Sequence, residues 1–126
     1  MRPPIFIRNG ARIIAAGHNA STNLNGGWAS VYHSDDGGET WQDAHLEKAP
    51  DHIITPPHQG LRWQNPGVEP TIVELKDGRV WCLLRTSLDR HYETWSEDGG
   101  ETWSPLSPSP FWGTITMKTF HRLPDG

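Results

Sequence analysis

The sequence predicts an all-β fold made of repeated four-stranded antiparallel units, and three observations carry that expectation. The octapeptide Ser34-Asp35-Asp36-Gly37-Gly38-Glu39-Thr40-Trp41 returns as Ser96-Glu97-Asp98-Gly99-Gly100-Glu101-Thr102-Trp103, both copies fitting S-x-D-x-G-x-T-W. Internal repetition of this kind points to a stacked-repeat architecture. Three short β-prone runs close on Gly-containing turns: Ile5 to Gly10, Thr71 to Gly78 and Thr119 to Gly126. The composition agrees, with 13 Gly and 11 Pro for turns and seven Trp to supply buried area in a chain only 34% hydrophobic.

Each unit assembles in order. Asn9-Gly10 and Asp77-Gly78 tolerate the positive φ angles of tight hairpins. After them come the apolar runs Ala11 to Ala16 and Val80 to Leu84, each followed by a loop and a third strand, Trp28 to His33 and His91 to Trp95. That strand enters the repeated octapeptide, and Trp41 or Trp103 opens a short fourth strand. Four antiparallel strands per repeat is the composition of a β-propeller blade. The chain is expected to hold about two blades, unit 1 over about 4–45 and unit 2 over about 69–106, and the start of a third over about 115–126. Because blades bury their faces on neighbours, the remaining blades are expected in a longer chain or an assembly.

Composition narrows the partners. The net charge of -4 with no basic block argues against nucleic acid. No apolar run reaches membrane-spanning length. Met1-Arg2-Pro3-Pro4 lacks the apolar stretch of a signal peptide, which leaves a secreted or periplasmic parent protein open. Cys82, the single cysteine, sits in an apolar run and reads as a buried thiol. His45, His52 and His58 match no zinc spacing and read as loop histidines; no metal or cofactor is expected. Pro56-Pro57 and Ser104–Pro110 read as stiff connectors, and Tyr32 and Tyr92 as packing residues.

Strand direction separates two ends of each unit. The hairpin turns and both octapeptides share one end, while the loops 17–27 and 86–90 and the connection 42–69 share the other, where long loops favour binding. The octapeptide residues Ser34, Asp36, Gly38, Thr40, Trp41 and their counterparts Ser96, Asp98, Gly100, Thr102, Trp103 therefore read as structural. Their Asp side chains satisfy turn donors, and the two Trp pack between sheets. At the loop end, folding the hairpin about Asp77-Gly78 sets Glu69 opposite Arg85. A guanidinium beside a carboxylate can hold an anion or merely close the hairpin, and spacing alone leaves both readings open. Arg62 is a second cation near Glu69, and Trp63, Gln64, Asn65, His18, Asn19, Asn23, Asn25, Asp89, Arg90 and His91 are loop residues able to contact a sugar.

The octapeptide resembles the Asp-box of sialidases and related bacterial neuraminidase repeats. Glu69 to Arg85, EPTIVELKDGRVWCLLR, is similar to a sialidase stretch in which Glu opens and Arg closes a hairpin over D-G-R. The resemblance implies part of a sialidase-like propeller, typically six-bladed, that acts on terminal acidic sugars of glycans. It implies that Glu69 activates a Tyr nucleophile, and that Arg85 is one of three arginines clamping the sugar carboxylate. Arg62 is the additional substrate-binding candidate. The family's Arg-Ile-Pro-like motif has no counterpart at Met1-Arg2-Pro3-Pro4, and its third Arg and nucleophilic Tyr are expected beyond Gly126, so the chain alone is expected to be inactive. Two alternatives stay open: another glycoside hydrolase or polysaccharide lyase on the same scaffold, and a non-catalytic carbohydrate-binding propeller.

Overall fold

The computed structural model describes residues 3–19, 27–53, 67–113, 118–121 and 123. Two four-stranded antiparallel sheets form, each a meander in chain order. The first comprises β1 (Ile5–Ile7), β2 (Arg12–Asn19), β3 (Trp28–Ser34) and β4 (Gln42–His45). The second comprises β5 (Val68–Glu74), β6 (Val80–Arg85), β7 (Arg90–Ser96) and β8 (Ser107–Trp112). Each sheet is one blade.

The hairpins close as their sequences require. In the second, the Gly78 N–H donates to Leu75 O at 3.0 Å and the Leu75 N–H to Arg79 O at 2.8 Å, with Gly78 at φ 86°. The first is a single 3-10 turn, Arg8–Gly10, in which Arg8 and Asn9 both take left-handed φ, 51° and 57°.

One core lies between the blades. Ile7, Ile14, Ala16, Ala29, Val31 and Leu46 from the first meet Ile72, Val80, Cys82 and Leu84 from the second. Strand alternation produces this, because residues two apart share a face. Burial pushes the Cys82 thiol up to about 12, so it remains a packing group.

Three expectations need correction. Ser104–Pro110 is not simply a connector, because β8 begins at Ser107 and runs through both prolines. Proline lacks a ladder N–H, and β8 tolerates Pro108 and Pro110 because it is the outer edge strand, paired only with β7. Trp41 does not pack between the sheets: it is 44% exposed on the outer face of the first blade, while Trp103 packs against the shared core. The first sheet has no blade before it among the described residues. His45 closes β4 instead of lying in a loop, His52 lies in a loop but is buried, and His58 lies outside the described residues.

Candidate functional site

Glu69 and Arg85 meet where β5 begins and β6 ends. Arg85 Nη2 donates to Glu69 Oε1 at 2.8 Å, and the two side chains are largely buried. The register that joins them is not the simple fold about Asp77-Gly78. From Thr71 to Glu74 that fold holds, with Thr71 facing Leu83, but at the strand's start Val68 faces Arg85, with an irregularity between Val68 and Thr71. Glu69 lies in this bulge with φ 49°, a left-handed conformation that costs a Glu of order 1–3 kcal/mol. Pro70, fully buried, follows it. Bulges commonly re-aim a side chain, and this one turns the Glu69 carboxylate onto the arginine.

The backbone strain is held from the neighbouring blade. The Glu69 N–H donates to His18 Nδ1 at 3.3 Å, so the imidazole presents an unprotonated nitrogen there. Among the described residues, Glu69 Oε2 is buried and accepts no hydrogen bond. One carboxylate oxygen is thus committed to Arg85 and the other is open to a donor.

Lys118 and His91 lie close by. Burial is the first cause that lowers the His91 pKa, followed by the positive charge of Lys118, with Arg85 adding to it. His91 is thus held neutral beside Lys118 and the Glu69-paired Arg85. Arg62, with Trp63, Gln64, Asn65, Asn23 and Asn25, lies outside the described residues. Further out on the same rim, the Arg90 guanidinium lies 4.2 Å from the centroid of the Trp112 ring. The sequence reading named Arg90 but overlooked Trp112, because the proline-rich run before it concealed a strand.

The Asp-boxes occupy the opposite end and are built alike. Ser34 Oγ donates to Asp36 Oδ1 at 2.7 Å and accepts the Gly38 N–H at 2.8 Å, while Asp36 accepts from the Thr40 N–H at 2.9 Å. Ser96, Asp98, Gly100 and Thr102 repeat this at 2.7, 2.7 and 2.9 Å. Trp41 and Trp103 each donate their indole N–H to the box glycine's carbonyl, at 2.9 and 3.1 Å. The donors from Thr40 and Ser34 hold the Asp36 carboxyl well below the usual carboxylate range. For Asp98 burial works the other way, yet the Thr102 and Ser96 donors prevail and bring it to about 2.

The second box also locks the blades together. The buried Arg12 guanidinium donates in bidentate fashion to Asp35, at 2.6 and 2.6 Å, to Glu101 at 2.8 Å and to the Gly99 carbonyl at 3.2 Å. Arg8 Nη2 donates to the Asp98 carbonyl at 2.6 Å.

A family model described as a BNR repeat-like domain matches residues 1–125, and the chain belongs to that family. Among solved structures, a protein of unknown function from Dyadobacter fermentans is 25% identical, with a TM-score of 0.69 over 97% of this chain and 30% of that one. The NanB sialidase of Streptococcus pneumoniae is 24% identical, with a TM-score of 0.60 over 88% of this chain and 14% of its own. An intramolecular trans-sialidase from Ruminococcus gnavus is 24% identical, with a TM-score of 0.54 over 85% of this chain and 19% of its own. The two sheets are blades of the sialidase fold, and the chain spans less than a third of the length of these structures. No curated protein matches it.

Proposed function

We propose that this chain is the part of a sialidase-like glycoside hydrolase that carries two of its site residues, acting on the terminal acidic sugars of glycans. The observation behind this reading is the Glu69 carboxylate, paired to Arg85 through Oε1 and unpartnered at the buried Oε2 among the described residues. A purely structural ion pair has no need of a strained backbone or a second, desolvated oxygen.

In this reading Oε2 accepts the phenolic proton of a Tyr located outside the chain. The phenolate oxygen attacks the anomeric carbon, and the glycosidic C–O bond breaks with its electron pair leaving on the departing oxygen. A Tyr suits a substrate whose anomeric carbon already bears a carboxylate, because the hydroxyl carries no charge until it reacts, whereas an anionic nucleophile is repelled. Arg85 binds the sugar carboxylate through the donors that Glu69 does not take, and the nearby Lys118 adds a positive charge suited to an anionic ligand.

The test is made in a protein holding the remaining blades. Arg85→Ala is expected to raise KM for an aryl sialoside far more than for a neutral aryl glycoside. Equal effects on the two substrates exclude the clamp. Glu69→Gln is expected to lower kcat on the sialoside and leave its KM nearly unchanged.

A further inference from the structure

The loop-end rim of the second blade continues outward beyond Arg85. Arg90 opens β7 and Trp112 closes β8, and the register sets the two directly opposite each other. The Arg90 guanidinium lies over the Trp112 ring at 4.2 Å, and Nη1 donates to the Ser109 carbonyl at 3.4 Å. The cation therefore bridges indole and backbone on one side of the ring. Trp112 is nevertheless 69% exposed. One face of the indole is capped and the ring is otherwise open to solvent, in line with Glu69 and Arg85 along the strand ends.

We propose that Trp112 is a stacking platform for the neutral sugar that follows the terminal acidic sugar of a glycan. This rests on the reading of Glu69 and Arg85 as the acidic-sugar end. The occupant is a neutral pyranose with a patch of C–H groups on one face, which packs on an indole as other apolar surfaces do. The Arg90 guanidinium lies on the indole and gives one N–H to the Ser109 carbonyl, so the exposed part of the subsite is an aromatic surface suited to a neutral ring. Spacing agrees: β6 and β8 are two strands apart, about 10 Å, a distance that two linked pyranose rings span. A rigid aromatic also loses little conformational freedom on binding, which favours affinity from a single contact.

The test uses a protein holding the remaining blades, slowed by Glu69→Gln and labelled with nitrogen-15, and three probes: the methyl α-glycoside of N-acetylneuraminic acid, 3′-sialyllactose and lactose. With Trp112 intact, that protein is expected to bind sialyllactose about five-fold more tightly than the methyl sialoside. The Trp112 indole N–H resonance is expected to move with sialyllactose and not with the methyl sialoside. Trp112→Ala is expected to reduce sialyllactose to the affinity of the methyl sialoside and leave the latter unchanged. Trp112→Phe retains most of the gain and guards against a general loss of structure. If both sialosides bind and Trp112→Ala alters neither, the platform is overturned and the acidic-sugar reading stands. If neither sialoside binds, or lactose binds as well as sialyllactose, the acidic-sugar reading fails and the subsite with it.

Discussion

At the scale of single residues, Glu69 is where local preference and tertiary structure disagree most. A Glu at φ 49° is strained, and the strain persists because β5 is pinned on both sides of it, by Val68 opposite Arg85 and by buried Pro70. His18 supplies an acceptor for the displaced N–H. The conformation therefore belongs to the site rather than to the sequence around it. Replacement by a residue at ease in the left-handed region should recover part of the cost. Glu69→Asn is expected to lower the urea midpoint less than Glu69→Val does, both having lost the ion pair with the largely buried Arg85. Glu69→Val, β-branched and poorly suited to positive φ, is expected to lose more than about 1 kcal/mol. Equal midpoints for the two variants would show that no backbone strain is stored there. Hairpin arithmetic brought Glu69 near Arg85 but missed the shift that sets Val68 opposite Arg85. The bulge that aims the carboxylate was not legible, because its cause includes a histidine in the other blade.

At the scale of elements, the Asp-box has two roles that the sequence shows unequally. Its internal bonding follows from the motif, since a Ser, an Asp and a Thr at that spacing can only satisfy one another across a tight turn. Its external role does not, because Arg12 precedes the second box by more than eighty positions and nothing near Arg12 marks it as a clasp. Arg12→Met should leave Asp35, Glu101 and a buried carbonyl without their shared donor and cost about 2 kcal/mol by chemical denaturation. Arg12→Lys should not rescue it, since a point charge cannot reproduce the bidentate fork. Glu101→Ala alone, removing a half-exposed partner, should cost well under that. The box acids add a pH dependence. The Asp98 pKa is about 2 in the folded chain against an ordinary value of 3.8, so its stabilisation is complete above about pH 4 and is lost as pH falls towards 2. Asp98→Asn should flatten that acid limb in a series of unfolding curves at decreasing pH. An unchanged limb would assign acid unfolding to other groups.

At the scale of the whole molecule, the two blades are copies whose faces have different company. Ile13 faces Ser34 and Val80 faces Ser96, so the Asp-box serines bring the repeats into register. In that register Phe6, Ala15, Tyr32 and Trp41 correspond to Glu74, Cys82, Thr94 and Trp103. The second set lies between the blades, with Cys82 and Thr94 almost fully buried and the Glu74 carboxylate accepting the Arg8 N–H at 3.0 Å. The first set faces outward, with Phe6 66% and Trp41 44% exposed and Pro4, Ala15, Tyr32 and Trp41 lining an open apolar cleft. On the far side of the second blade, Trp81 stacks on Trp95 at 5.3 Å and meets Phe120 at 4.6 Å, so that face is already partly covered by the chain's next segment. The sequence announced blades but could not say which face lay bare, since alternation marks both faces of a blade as apolar. In this chain by itself, the outer face of the first blade is therefore an exposed apolar surface able to adhere to another copy. Sedimentation velocity over a range of concentrations should show self-association of the chain. Phe6→Glu, which installs the side chain found at the equivalent position of the second blade, should suppress it at an unchanged urea midpoint. The substitution removes apolar area that the fold itself does not bury, so a variant that lost stability instead would place Phe6 in the core of the first blade, and one that still associated would move the contact to the Trp81 face.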